Sequence, residues 1–245
     1  MTTDLPVPGT ALAVAAHPDD VEFGCGATLA KWAAAGCRIV HVVCTDGARG
    51  TWDPGRDPAQ LVATREQEQR AAAKALGSSG DVVFLRWPDG ELEAGVRQRF
   101  QLAGAIPQHR PDVVLGHDPW RRYRLHPDHR NAGFLVTDAI VAARDPLYLP
   151  ELAGAPHRPG TLLLFEAEEP DHAEDAEGWL GTKLEALLCH ESQHESTMAI
   201  VGGADRGAVE RQQDEFTQRV RQEAARQGAP FGLAAAEAFK RIDDL

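Results

Sequence analysis

Two tetrapeptides in this chain group imidazole and carboxylate side chains at spacings that can serve chemistry. His17-Pro18-Asp19-Asp20 holds one histidine and two acids, and His126-Pro127-Asp128-His129 holds two histidines and one acid. Imidazole and carboxylate are common ligands of a catalytic zinc, which takes three protein ligands and keeps a position for water. Two histidines and one carboxylate meet that count. The remaining acids and histidine are then available for proton transfer. Ferrous iron accepts the same donor set. Either tetrapeptide alone also reads as a helix-capping turn; it is the pair that points to a metal.

A shared site needs a fold that brings these distant segments together. Thr10–Ala16, Arg38–Thr45, Val82–Leu85, Asp112–Gly116 and Thr161–Phe165 are short apolar runs that read as buried strands. Gly26–Ala35, Ala59–Leu76, Leu92–His109, Asp128–Arg144, Gly178–His190 and Ala208–Gln227 read as helices. Gly36 and Gly77 close the first two, Pro107 disturbs the third, and Asp128 is expected to cap the fourth. This alternation predicts an α/β fold: a Rossmann-like, mostly parallel sheet with helices on both faces. In the strand order 3-2-1-4-5, the ligand crevice lies at the carboxyl ends of the first and fourth strands. Each tetrapeptide follows one of those strands, so the metal site is expected there. Residues 1–245 read as one domain, with Asp145–Gly160 as a Pro-rich excursion.

Composition narrows the partners. The formal net charge is −12, and a binder of phosphate backbones needs a basic face. The densest basic group, Arg121, Arg122 and Arg124, sits beside the second tetrapeptide, where a small substrate explains it better than nucleic acid. No run reaches the roughly 18 apolar residues of a membrane span, and Met1–Gly9 lacks the basic and apolar regions of a signal peptide. Cys25, Cys37, Cys44 and Cys189 show no CxxC spacing and read as free thiols of a reducing compartment. The expectation is a cytoplasmic protein acting on a small molecule, without nucleic-acid or membrane partners and compatible with a homo-oligomer.

Other features read as structure. Gly24-Cys25-Gly26 fails the dinucleotide fingerprint because residue 29 is leucine, and Gly26 reads as a close helix–strand contact. Ser192 between His190 and His194 makes no triad by proximity in sequence. His41 reads as a packed core histidine, while His117 and Asp118 end the fourth strand near the site.

The segments Ala15–Leu29 (AAHPDDVEFGCGATL), Thr45–Gly50 (TDGARG), Trp87–Gly90 (WPDG), His126–Arg130 (HPDHR) and Lys183–Gln193 (KLEALLCHESQ) resemble, in that order, the LmbE-like or PIG-L deacetylases. The resemblance spans nearly the whole chain, and the two tetrapeptides are its specific part. It implies a Rossmann-like fold, a zinc ion and hydrolysis of the N-acetyl group of amino-sugar conjugates such as N-acetylglucosaminyl glycosides. Residue by residue, it makes His17, Asp20 and His129 the zinc ligands and Asp19 the general base. It makes His126 the proton donor and oxyanion stabiliser, oriented by Asp128. Arg65 and Asp89 match sugar-contacting positions. Many members carry an acid in the loop where Ala48 and Arg49 stand here, so Arg49 is read as meeting an anionic substrate group. Arg124 replaces a tyrosine found two residues before the catalytic histidine. Alternative readings are a thiol-conjugate amidase, a deacylase of secondary metabolism, and a non-catalytic sugar- or metal-binding protein.

Overall fold

The structure is a computed structural model that describes residues 1–148, 155–202 and 206–245. Residues 149–154, inside the Pro-rich stretch, lie outside the described residues.

In chain order the elements are β1 (Thr2–Thr3), β2 (Thr10–Ala15), α1 (Asp20–Ala34), β3 (Arg38–Thr45), α2 (Pro58–Ala75), β4 (Val82–Trp87), α3 (Val96–His109), β5 (Val113–His117), α4 (Pro127–Arg144), β6 (Thr161–Phe165), β7 (His172–Asp175), α5 (Leu180–Leu188), α6 (Arg206–Gly228) and β8 (Ala236–Asp243). The strands form one sheet in the order β1-β7-β8-β6-β5-β2-β3-β4. Its parallel part, β4-β3-β2-β5-β6, has the 3-2-1-4-5 order expected from the sequence. Leu12 pairs with Val40 on one side and Val114 on the other. β8 then runs antiparallel between β6 and β7.

Alternation along β2 separates two cores. Leu12 and Val14 face one side with Val40, Val42 and the inner residues of α3 and α4. Ala11, Ala13 and Ala15 face the other, where Leu29 and Trp32 of α1 pack. The small residues on that side leave room for α1, and Gly24 extends the same logic: a Cβ there would stand 2.5 Å from the Phe165 ring. The close helix–strand contact is thus made by Gly24, whereas Gly26 faces Lys183 of α5.

Three features depart from the sequence reading. α1 begins at Asp20, directly after β2, and bends at Cys25 (φ −149°); the Gly24-Cys25-Gly26 stretch conceals its first turn. The bend frees backbone groups, which find buried partners. Glu237 accepts the N–H groups of Ala27 and Thr28 at 3.0 and 2.7 Å, and Lys183 donates to the Phe23 carbonyl at 2.7 Å. The second departure is the far side of the sheet, where β1, β7 and β8 add three strands to the five expected; the alanine-rich start of β8 conceals it, and β1 and β7 are short. The third is the start of α4: its cap is His126 with Pro127 in the first turn, and Asp128 lies inside the helix. Pro fits there because its missing N–H would be unpaired anyway. Pro107 is accommodated in the last turn of α3. Among the described residues no helix is long and apolar enough to cross a membrane.

Candidate functional site

The site forms where β2 and β5 end side by side. β2 delivers His17, and the chain turns at Asp19 into α1. Asp19 holds a left-handed conformation (φ 99°) without being glycine. Its N–H donates to Gln69 Oε1 at 3.0 Å, and Gln69 in turn donates to Glu22 at 2.7 Å. The loop after β5 returns through His126 into α4, whose first turn presents Asp128 and His129. Pro127 fixes that entry, so the second tetrapeptide meets the first across the sheet crevice.

Three ligand-type side chains converge. His17 Nδ1 is 3.3 Å from Asp20 Oδ2 and 3.2 Å from His129 Nε2; His129 Nε2 is 3.3 Å from Asp20 Oδ1. In a tetrahedral zinc site with bonds of 2.0–2.1 Å, ligand atoms stand about 3.3 Å apart. The separations therefore suit one ion bound by these three residues. The back of His17 is also arranged for a ligand: Nε2 lies 3.3 Å from Asp128 Oδ2 and 3.1 Å from Asp89 Oδ1. Donating Nε2–H to carboxylate leaves Nδ1 with its lone pair towards the triangle, the usual support of a metal-bound histidine. Four acids, Asp19, Asp20, Asp89 and Asp128, are buried here, and a dication offsets their mutual repulsion. Three further groupings lie within ligand reach of one another: His17 with His126 and His129, Asp20 with His117 and His129, and His17 with Asp89 and Asp128.

Ionisation follows from burial and neighbours. Burial opposes charge on His17, but Asp128, Asp20 and Asp89 outweigh it and hold its pKa well above the ordinary value. A metal must displace that proton to reach Nδ1. Burial likewise opposes charge on Asp20, yet His129 and His117 hold it well below the usual carboxylate range. Burial takes His129 down to about 4 against the pull of Asp20, which keeps the ring neutral so that no proton need be displaced by a metal. Asp19 is pushed up to about 6 by burial, with Arg65 opposing and Asp20 adding to the rise. Burial, then the charge of His17, lower His126. Its ring stacks on His129 with centroids 4.7 Å apart.

A cleft of about 490 Å³ opens above this floor, bordered by His17, Asp19, Asp20, His126 and His129, by Arg49, Arg65 and Asp89, and by Gln193 and Thr197. That volume falls within the ~300–1,000 Å³ of small-molecule sites. All nine residues assigned a role from the sequence thus gather here, eight on the cleft wall and Asp128 beneath it. Two details differ from the expected arrangement. The Asp128 carboxylate is engaged by His17 and by the N–H groups of Gly90 (2.6 Å) and Leu92 (3.3 Å), not by His126. The reason is position: as the second residue of α4 it points under the cleft, while His126 stands outside the helix at the rim. Arg65, besides facing the cleft, donates to the carbonyls of Gly47 (2.9 Å) and Pro18 (2.7 Å) and lies 3.6 Å from Asp19. Gly47, at φ 66°, comes so close that a Cβ would stand 2.9 Å from the guanidinium. Asp89 accepts the Arg49 N–H at 2.9 Å, and the Arg49 side chain pairs with exposed Glu91 at 2.6 Å. Arg65 and Asp89 therefore bind the loops together as well as bordering the cleft.

The bland readings also resolve. Ser192 donates its hydroxyl to Glu68 at 2.6 Å, and buried His41 meets Ser78 at 2.8 Å. His117 is buried beneath the cleft, 3.3 Å from Asp20. Glu166, which the sequence reading passes over, lies behind it at 3.2 Å. It directly follows β6, and a carboxylate at the carboxyl end of a central strand is the signal that marks it.

Fold and cluster together define an α/β protein with a His/Asp centre at the carboxyl edge of a mostly parallel sheet. Residues 12–140 match the PIG-L family, GlcNAc-PI de-N-acetylase, and the chain belongs to this family of metal-dependent N-deacetylases. It is 34% identical over 185 residues to the diacetylchitobiose deacetylase of Thermococcus kodakarensis, covering 74% of this chain and 69% of that protein. It is 31% identical over 245 residues to the 1D-myo-inositol 2-acetamido-2-deoxy-alpha-D-glucopyranoside deacetylase of Actinosynnema mirum, covering 82% of this chain and 86% of that one. Among solved structures it is similar to the N,N'-diacetylchitobiose deacetylase of Pyrococcus horikoshii in complex with its inhibitor MPG. There the TM-score is 0.84 and the identity 26%, with 96% of this chain and 84% of that chain covered.

Proposed function

We propose that the chain is a zinc-type N-deacetylase that releases the acyl group of a small amino-sugar conjugate, working as one domain over residues 1–245. The observation that carries this reading is the meeting of His17 Nδ1 and His129 Nε2, 3.2 Å apart, with the Asp20 carboxylate on the floor of the cleft, each nitrogen 3.3 Å from a different one of its oxygens. Kinship with two sugar deacetylases supports the substrate class. The one-domain reading is supported by a single sheet with strands from Thr2 to Asp243.

His17, Asp20 and His129 hold the ion. When bound, it supplies positive charge that polarises the acyl oxygen and makes water a stronger acid. Asp19, beside Asp20 and on the cleft wall, accepts the proton of the attacking water. Its carboxyl near 6 is ionised at neutral pH and is more basic than an ordinary aspartate. His126 at the rim is neutral for the reason given above. A neutral imidazole still donates an N–H to the oxyanion that develops on the acyl carbon. The proton that Asp19 takes from water then passes by way of His126 to the amine, since an amide nitrogen leaves poorly until protonated. Asp128 acts through His17, by fixing its ring. Arg65 and Asp89 border the space for the sugar.

The test is release of acetate from a panel of N-acetylglucosamine conjugates by protein of measured metal content. Release that depends on bound metal is expected. Turnover restricted to thiol-conjugate amides or larger acylated scaffolds would move the chain to that substrate class. Metal-independent release, or none from any acylated amine, would overturn the reading.

A further inference from the structure

Behind the metal-type triangle sits a carboxylate with two arms. Glu166 Oε2 is 3.2 Å from His117 Nδ1, and the opposite nitrogen of that ring, Nε2, is 3.3 Å from Asp20 Oδ2. The same Oε2 is 2.7 Å from Arg124 Nη2, and Arg124 also touches His129 Nδ1. Both arms therefore end on residues of the triangle. Glu166 reaches this place from a left-handed backbone, φ 55°. A non-glycine residue holds that conformation only where its surroundings enforce it.

The second arm contains a conflict. Guanidinium is a donor only, so its contact with His129 requires a lone pair on Nδ1 and puts the ring proton on Nε2. A metal at Nε2 requires the reverse. The ring can then keep its proton on Nδ1 only if Arg124 withdraws and an acceptor takes its place. Glu166 Oε2, 4.0 Å from Nδ1, is the carboxylate within reach.

We propose that Glu166 is the positioning residue of the metal centre: it orients Asp20 through His117 and receives the Nδ1–H of His129 when Arg124 leaves that nitrogen. This inference rests on the metal-site reading above. Arg124 is correspondingly a competitor of the ion for His129. Outer-shell partners of this kind typically change metal affinity 10–100-fold when removed.

The experiment measures zinc dissociation constants by competition with a chromophoric chelator, and the visible spectrum of the cobalt-loaded protein. The proteins are wild type, His17→Ala, Glu166→Ala, Glu166→Gln and Glu168→Gln. Glu166→Ala is expected to bind zinc about 10–100-fold more weakly and to shift the cobalt bands. Glu166→Gln keeps an acceptor oxygen for His117 and should fall between Ala and wild type. Glu168→Gln removes a charge two residues along, where it pairs with Arg122 at 3.1 Å, and should leave both readouts alone. Equal losses in Glu166→Gln and Glu168→Gln would reduce the effect to bulk charge and overturn the proposal; so would wild-type affinity in Glu166→Ala. Should Glu166→Ala fail to fold, wild-type affinity and spectrum in Glu166→Gln would overturn it alone. If His17→Ala binds as well as wild type, the metal-site reading itself has failed; if only the Glu166 variants behave as wild type, that reading stands and this one falls.

Discussion

His17 Nε2 and the Asp128 carboxylate stand 3.3 Å apart across 111 residues of sequence. That contact ties the two tetrapeptides into one unit, because it turns the other nitrogen of His17 towards Asp20 and His129. It also relocates Asp128 from the proton donor to the metal side of the site. Asp128→Asn should therefore weaken zinc binding, by about 10–100-fold if it behaves as a usual outer-shell partner. A dissociation constant measured by chelator competition checks this; loss of turnover at wild-type affinity would instead return Asp128 to His126.

Single replacements of His17, Asp20 or His129 by alanine should each leave metal content well below one ion per chain. The protein should remain folded, since its two largest apolar clusters pack on the faces of the sheet and include none of the three ligands. Elemental analysis together with thermal unfolding tests both halves. Full metal in two of the three variants would show that the ligand set is different, with His117 the next residue to examine.

Asp19 and Asp20 are neighbours with opposite settings, one carboxyl pushed up and the other held down. Asp19→Asn should keep its metal while kcat falls about 10²–10⁴-fold, the usual worth of a positioned general base. In wild type the base form is ionised Asp19, so kcat/KM should fall as pH drops through about 6. Bound metal, being positive, moves that limb lower. These are macroscopic constants of a coupled site. The Asn variant should lose the limb; a profile with the same acid limb would assign it to another group.

Arg65 offers a separation of binding from architecture. Removing its guanidinium leaves the buried carbonyls of Gly47 and Pro18 without their donor, at about 1–3 kcal/mol for an unsatisfied group. Arg65→Ala should lower stability in urea unfolding by that order and reduce turnover as well. Unchanged stability with a raised KM for a glucosaminide would mean that Arg65 serves the sugar alone.

Gly24→Ala tests the packing that sets α1 against the sheet. The added Cβ would meet the Phe165 ring at 2.5 Å, and forcing a group into a packed core typically costs about 1–3 kcal/mol. Because Asp20 begins the same helix, zinc affinity should drop along with the melting temperature. Stability equal to wild type would show that α1 can shift without cost.

The two tetrapeptides, their placement after the first and fourth strands of the parallel set, and the 3-2-1-4-5 order were legible in the chain. Such features are local or follow from hydrophobic periodicity, and the crevice at the carboxyl ends is a property of the topology. The first turn of α1 and the strand β8 were not, because Gly24 and Gly26 lower helix propensity and alanines at 234–236 mask a strand that tertiary pairing enforces. Sequence types also fixed that two histidines and a carboxylate were available, and kinship named which. Only the tertiary structure decided the partners: Asp128 with His17, Arg65 with Gly47 and Pro18, Glu166 with His117 and Arg124. Each of these contacts depends on the direction a side chain takes from its helix or loop and on which buried polar group most needs a partner. Spacing along the chain carries no record of either.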